Sequence, residues 1–274
     1  MTRGRKKAPR YRLDDLRRFA AALGAGAGLA PERAMALATH LLWFDAAGTP
    51  PFGIASLPVW LARIERGEVD PRAEGRIGAE HAASAVLDAQ RGPAPLILSR
   101  AAGVAGEKAR EVGVGLVRVT GLGPSGPAAA IAAELAIGPH VGLVLGPGPH
   151  QALALPTAEG LPLVFDSALT GEMPPPALSF PGFPVPGSLL APEGGVLVVA
   201  AVVTAMEPLA TFHERLDAAV KALGDGPGRL LPGPWDDRRR EVREHGVPLD
   251  GGVMAELRPR AERLGLEPPT PRTS

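Results

Sequence analysis

Apolar residues recur at helical spacing near both ends of this chain and in short strand-like runs between them. The helical pattern lies at residues 11–23, 31–47 and 57–64 on the N-terminal side and at 214–223, 235–244 and 250–264 on the C-terminal side. Strand and helix patterns alternate in the middle of the chain. This order predicts an α/β protein in which a sheet domain is inserted between N- and C-terminal helical segments.

The central pattern also predicts where the domains begin and end. Strands are expected at 85–88, 114–120, 141–145 and 161–166, and helices at 96–112 and 128–137. The run 196–203 is apolar throughout, so its period favours neither a buried strand nor a buried helix. We predict a helical domain from 11–75 and 206–274, a sheet domain from 76–205, and a disordered basic tail at 1–10. The proline-rich stretch 173–192 predicts a remodelled loop or an interface arm.

Charge and composition narrow the classes of function. Lys+Arg and Asp+Glu number 29 each, so no net charge attracts the chain to nucleic acid or to an anionic membrane. The basic run MTRGRKKAPR is more typical of a solvated tail than of a nucleic-acid arm. No apolar run has the length of about 20 residues that a membrane span requires. Cysteine is absent, which excludes disulfides and thiolate metal sites and fits a reducing compartment, so we expect a cytoplasmic protein.

One glycine-rich stretch imitates a dinucleotide loop. In VRVTGLGPSG, Gly121, Gly123 and Gly126 have Gly-x-Gly-x-x-Gly spacing between a strand-like and a helix-like segment. The next predicted strand, however, ends in Gly-Pro-Gly-Pro-His, without the acid that would hold a ribose. Pro124 and Pro127 also remove backbone donors that would face a pyrophosphate. We therefore favour a tight strand-to-helix turn over a Rossmann cofactor loop.

The carboxylate of Asp166 is the most constrained polar group of the predicted sheet. It ends the apolar strand LPLVFD, so it must find hydrogen-bond donors or a cation. Two interpretations remain open: a cap on the next segment through the amides of Ser167 or Ala168, or a role in a functional site. None of the six histidines pairs with another at helical spacing, so we expect no metal site.

Several segments in one order resemble the type 2 malate/L-lactate dehydrogenase family. They are LLWFDAAGTPPFGIASLPVWLARIERGEVDP, GVGLVRVTGLGPSG, VGLVLG, LPLVFDSAL and the C-terminal LLPGPWDDRRREVREHGVPLDGGVMAELRPRAERLGL, and together they span most of 11–266. The resemblance implies an NAD(P)-dependent oxidoreductase, usually a dimer, whose sheet domain binds the cofactor without a Rossmann fold.

The residues of the family's active site are mostly replaced. Where the family carries Gly-His-x-Ser-His-Gly, with an Arg four residues after the second His, this chain has Phe52 at the catalytic histidine and Ser56 at the arginine. Phenylalanine cannot transfer a proton, a step that typically contributes about 10²–10⁴ in rate. Serine cannot form the bidentate clamp on a carboxylate. Asp166 is the only member of the catalytic set that is retained.

The cofactor motifs implied by the resemblance are reduced as well. Gly126 alone agrees with the family's Asn-Ser-x-His-x-Gly loop, although Gly121 and Gly123 lie beside it. The Gly-Gly-x-Lys-Gly turn survives as Gly194 and Gly195 without its lysine, and a Gly-Thr-Asn-Pro segment is deleted. These glycines remain weak candidates for cofactor binding.

Two hypotheses follow. In the first, the chain is a catalytically inactive member that binds no cofactor and acts as a binding or assembly partner, as a homodimer or as a heteromer with an active paralogue. In the second, it is a divergent NAD(P)H-dependent reductase of a small 2-oxo or imino acid that uses Asp166 or His150 as the acid. A neighbour such as His40 or Asp45 could compensate for the loss of one catalytic residue, whereas the loss of all of them favours the first hypothesis.

Overall fold

A computed structural model of the chain describes residues 8–147, 151–169, 195–223 and 229–272. The chain divides into two compact units. The helical unit comprises Met1–Arg72 and Trp235–Ser274, and the sheet unit comprises Ala73–Pro234. His150, Gly194, the stretch 173–192 and the first seven residues lie outside the described residues.

The helical unit is built from both ends of the chain. Its elements are β1 (Arg10–Tyr11), α1 (Leu13–Gly26), α2 (Pro31–Ala46), α3 (Leu57–Glu65), most of α7 (Pro232–His245), β10 (Val247–Pro248) and α8 (Gly251–Arg263). Strands β1 and β10 pair antiparallel and join the two ends. Arg10 was predicted to belong to the disordered tail; instead it lies in β1, and its guanidinium donates to the carbonyl of Gly246 at 2.9 Å and to the carboxylate of Glu241.

The helical apolar pattern at 31–47, which predicts one buried face, is confirmed by α2. Ala34, Leu37, Leu41 and Phe44 are all at most 1% exposed and face the core of the unit. The first helix was predicted over 11–23, with Gly24 as its end; this end is wrong, because α1 continues to Gly26. A Cβ on Gly24 would lie 3.3 Å from the Cβ of Ala34, so this glycine serves the close packing of α1 on α2.

The sheet unit confirms a mixed α/β architecture. Its strands are β2 (Arg76–Glu80), β3 (Ser84–Asp88), β4 (Val114–Thr120), β5 (His140–Leu145), β6 (Gln151–Leu155), β7 (Leu163–Asp166), β8 (Val196–Val202) and β9 (Arg229–Leu230). They form an eight-stranded sheet in the order β2-β3-β4-β8-β5-β6-β7-β9. Among the pairings of the described residues, β3 with β4 is parallel and the others are antiparallel. A Rossmann sheet is mostly parallel, so this sheet is of a different type.

The segment whose period was undecided forms β8. It runs antiparallel between β4 and β5, with Val198 opposite both Val117 and Val144. A strand at this central position is hydrogen-bonded on both edges and covered on both faces, which explains its apolar sequence. Strand β2 was missed because its side chains are mostly exposed and carry no apolar alternation.

Helices α4 (Ala94–Val112) and α5 (Ala129–Leu135) pack on one face of the sheet and contact each other. Two glycines permit this packing. A Cβ on Gly115 of β4 would lie 1.9 Å from the carbonyl oxygen of Ala105 in α4, and a Cβ on Gly142 of β5 would lie 2.4 Å from that of Ala132 in α5. The backbones of helix and strand therefore approach more closely than any side chain would allow.

Helix α6 (Leu209–Leu223) belongs to the sheet unit. Leu216, Phe212 and Val220 join a cluster with side chains of β6 and β7, namely Leu153, Leu155, Leu163 and Phe165. The predicted division placed residues 206–274 with the helical domain, whereas the compact units divide at Trp235. The apolar face of α6 covers sheet residues, and this burial assigns the helix to the sheet unit.

Candidate functional site

The carboxylate of Asp166 is held by backbone amides at the end of β7. The residue is 2% exposed. Its Oδ2 accepts hydrogen bonds from the amides of Ala128 and Ala129 at 2.8 and 2.7 Å, and its Oδ1 accepts one from Ala168 at 2.8 Å. The bond from Ala168 is the cap that the sequence allowed. The two bonds at the start of α5 lie 37 and 38 residues away along the chain and fasten that helix to the sheet.

Burial also changes the acidity of this group. Desolvation raises the pKa of Asp166 to about 6, although the three amide hydrogen bonds work in the opposite direction. A carboxylate that titrates near neutrality is suited to proton transfer, and such shifted groups cluster at functional sites. Asp166 thus combines a structural role with a pKa that suits proton transfer.

The glycine loop between β4 and α5 is explained by its backbone conformation. Gly121 and Gly126 have φ of +64° and +71°, values that other residues rarely adopt. A Cβ on Gly123 would meet no atom within 4 Å. A dinucleotide loop uses the amides at the start of the following helix to bind pyrophosphate. Here two of those amides donate to Asp166. Gly195, the described half of the other glycine pair, is buried just before β8.

Phe52 and Ser56 lie in the helical unit, in the connection between α2 and α3. Phe52 ends a short 3₁₀ turn, Pro50–Phe52, and its ring lies 6.2 Å from that of Phe44. The hydroxyl of Ser56 donates to the carbonyl of Gly53 at 2.8 Å. The first side chain is part of an aromatic cluster and the second closes a local turn.

Asp45 and His40, both on α2, have strongly shifted acidity. Asp45 is 6% exposed; its Oδ2 accepts from the amide of Ile54 at 2.9 Å, while its buried Oδ1 has no partner among the described residues. Desolvation raises the pKa of Asp45 to about 7. His40 packs edge-on against Phe44 at 5.3 Å, and desolvation lowers its pKa to about 4. The imidazole is therefore neutral at pH 7 and is not positioned as an acid.

These shifts predict how stability depends on pH. Stability contributed by Asp45 is present below its unfolded pKa of 3.8 and is lost as pH rises through about 7. The stability that His40 contributes is present above its unfolded pKa of 6.5 and is lost as pH falls through about 4. Asp45→Asn removes the first contribution. Urea denaturation from about pH 5 to about pH 8 should therefore show a smaller loss of stability in the variant than in the wild type.

The exposed Asp217→Asn on α6 serves as the control for this experiment and should follow the wild-type profile. Parallel profiles for the wild type and Asp45→Asn would contradict the assignment of the slope to Asp45.

The sequence patterns did not reveal one contact of the helical unit. Trp235 of α7 packs against Trp43 of α2, with ring centroids 5.2 Å apart, and Arg238 covers Gly48, which follows α2. The run PGPWDDRRRE shows an aromatic residue among arginines, yet nothing in it indicates a partner about 190 residues upstream.

Metal and membrane signatures are missing from the described ranges. There, no three His, Asp or Glu side chains come together as metal ligands. None of the helices in that part of the chain combines the length and apolar character that a bilayer crossing requires.

Comparison with known proteins shows which family has this architecture. The sequence model of the family described as malate/L-lactate dehydrogenase matches residues 11–150, just over half of the chain. The chain belongs to this family. The family resemblance inferred from the sequence is thereby confirmed. No curated protein is similar enough in sequence to count as a relative.

Solved structures support the malate/L-lactate dehydrogenase fold over nearly the whole chain. Malate dehydrogenase from Pyrococcus horikoshii has 18% identity and a TM-score of 0.78, covering 98% of this chain and 99% of its own. The enzyme from Entamoeba histolytica has 16% identity and a TM-score of 0.80, with coverages of 96% and 100%. Delta1-piperideine-2-carboxylate reductase from Pseudomonas syringae has 20% identity and a TM-score of 0.73, with coverages of 92% and 99%. At such identities the likeness establishes the fold.

Proposed function

We propose that this chain is a member of the malate/L-lactate dehydrogenase family that has kept the fold and lost the dehydrogenase chemistry. It acts in the cytoplasm as a binding or assembly partner, as a homodimer or as a heteromer with an active paralogue, and it requires no cofactor. The main support is Phe52. The family resemblance puts the proton-donating histidine at this position, and the phenyl ring packed near Phe44 has no proton to give.

The position of the substrate arginine supports the same conclusion. A guanidinium binds a carboxylate through two parallel hydrogen bonds, and the charge makes each bond strong. Ser56 offers one neutral hydroxyl, and that hydroxyl donates to the Gly53 carbonyl. The carboxylate of a 2-oxo acid would therefore gain little binding free energy at this position.

The cofactor side gives a third, separate argument. The loop between β4 and α5 has Gly121, Leu122 and Pro124 where the family resemblance places asparagine, serine and histidine, so its side chains offer no polar contacts at those positions. Loss of the donor, the clamp and these contacts together is better explained by loss of the reaction than by compensation at one residue.

One observation favours the alternative of a divergent NAD(P)H-dependent reductase of a small 2-oxo or imino acid. Asp166 is buried and has its pKa raised to about 6, as a general acid would. Three of its roughly four acceptor positions are used by backbone amides, however, so a proton on Asp166 would compete with those bonds. We therefore give this function second place.

A turnover assay separates these two functions. Wild-type protein, Phe52→His/Ser56→Arg and Asp166→Asn are each mixed with NADH or NADPH and with small 2-oxo acids, and consumption of the reduced nucleotide is followed by absorbance. We expect no enzyme-dependent consumption in any sample. The double variant restores the family side chains but not the cofactor contacts, so it should stay inactive.

Turnover by the wild type that disappears in Asp166→Asn would instead establish the reductase. Turnover by the double variant alone would show that the cofactor site survives, and it would contradict the proposed loss of cofactor binding.

The assembly role has its own test. Native mass spectrometry of the purified chain, alone and mixed with a catalytically active family paralogue from the same cells, measures which assemblies form. We expect a homodimer or a mixed assembly of defined stoichiometry. A monomer under both conditions would contradict the assembly role without bearing on catalysis.

A further inference from the structure

Two buried N–H donors on α7 have no acceptor among the described residues. One is Nε1 of Trp235, a residue that is 2% exposed, and the other is Nε of Arg238. Buried polar groups in native proteins are almost always hydrogen-bonded to protein or to ordered water. Two such donors three residues apart on one helix therefore require an acceptor, which either water or a bound ligand supplies.

The donors lie on the same side of one helix. Residues three apart in an α-helix are neighbours on its surface. Trp235 packs on Trp43, in the last turn of α2, and Arg238 lies over Gly48, two residues after that helix ends. Both donors thus lie close to the C-terminal end of α2, within the helical unit.

Gly48 makes room for the arginine. Its φ is +79°, and a Cβ there would lie 2.6 Å from Cδ and 3.0 Å from Nε of Arg238. A side chain at this position would displace the guanidinium. The turn after α2 is therefore shaped to hold Arg238 in place, and this fixes the Nε donor over Gly48.

The charge around the donors favours an anion. The Arg239 guanidinium lies 5.9 Å from the centre of the Trp235 ring, which adds a second cation. The two acids of the same helix, Asp236 and Asp237, both pair with Arg240. Asp45, the buried acid near the end of α2, accepts a bond from Ile54 through Oδ2, while its Oδ1 has no partner among the described residues. Desolvation raises its pKa to about 7, so its negative charge is reduced at neutral pH. The donors are thus a guanidinium N–H and an indole N–H beside an additional positive charge.

The geometry points to a binding site for a small carboxylate at Trp235 and Arg238, in which the carboxylate oxygens accept from the indole Nε1–H and the guanidinium Nε–H. Charge-assisted bonds of this type are the stronger class of hydrogen bond. The site is independent of the proposed loss of dehydrogenase activity, because it uses neither Phe52, Ser56 nor Asp166. Binding at this site would let a protein without dehydrogenase activity respond to an organic acid.

Calorimetric titration with sodium malonate tests this site. The wild type should show saturable heat that an equal ionic strength of sodium chloride does not reproduce. Trp235→Phe keeps an aromatic ring but removes the indole N–H donor, and Arg238→Gln removes the guanidinium cation. Each should weaken malonate binding by at least about tenfold. Arg243→Gln, an exposed arginine of the same helix, makes the same change in net charge and should bind as the wild type does.

Two results would overturn the site. The first is no saturable heat with the wild type, which means that water satisfies the donors. The second is equal weakening in Arg238→Gln and Arg243→Gln, which means attraction by net charge alone. Circular dichroism of each variant verifies the fold, and Trp235→Phe, which conserves the aromatic packing, tests the site even if Arg238→Gln does not fold.

Discussion

Asp166→Ala should lower the free energy of unfolding by about 3–5 kcal/mol, because three buried amides lose their acceptor and each unsatisfied group costs about 1–3 kcal/mol. The amides are those of Ala128, Ala129 and Ala168. Two of them begin α5, so the loss should also loosen the loop before that helix. Urea denaturation measures the first effect, and amide hydrogen exchange in 121–135 measures the second.

Asp88→Ala is the matched control. Asp88 also ends a strand and accepts an amide hydrogen bond, from Gln90 at 3.0 Å, but it does so at the surface. Removing it should cost about 1 kcal/mol or less. Equal losses in the two variants would show that Asp166 does not anchor α5.

Gly115→Ala should lower the free energy of unfolding by about 3 kcal/mol or more, the upper range for overpacking a core. The added methyl would lie 1.9 Å from the carbonyl oxygen of Ala105 and 2.8 Å from its carbonyl carbon, both of which are backbone atoms. Neither can turn away as a side chain could. The variant can fold only if α4 moves away from β4. Thermal unfolding, followed by circular dichroism, measures the change.

A glycine-to-alanine substitution in α4 itself should change the free energy of unfolding in the opposite direction. Gly103 lies inside that helix, and a Cβ there would meet no atom within 4 Å. Gly103→Ala should therefore raise stability by about 0.5–1 kcal/mol through helix propensity alone. If both variants were destabilised alike, close helix-to-strand packing would not be the reason that Gly115 is required.

Local patterns predicted most of the fold. Apolar spacing located α2 and its buried face, and the β4 strand was predicted with its observed bounds. Patterns were not sufficient where neighbours decide the structure. The run that forms β8 is apolar because it is central in the sheet, and α6 joins the sheet unit because its apolar face covers β6 and β7. Such neighbours are far apart in sequence, and spacing alone does not reveal them.

The candidate site was predictable to a lesser degree. The strand pattern indicated that the Asp166 carboxylate must find donors, but two of those donors lie 37 and 38 residues away. The meaning of Phe52 and Ser56 came from the family resemblance and not from their own chemistry. The Trp235 and Arg238 donors could not be predicted, because only the folded helical unit brings α7 to the end of α2.

Titration of the purified protein with NADH and with NADPH, followed by nucleotide fluorescence, tests the central claim most directly. The claim is that this family member has kept the fold and lost the cofactor site. No saturable binding is expected for either nucleotide, even at millimolar concentration. Saturable binding in the micromolar range would contradict the claim and favour the divergent reductase.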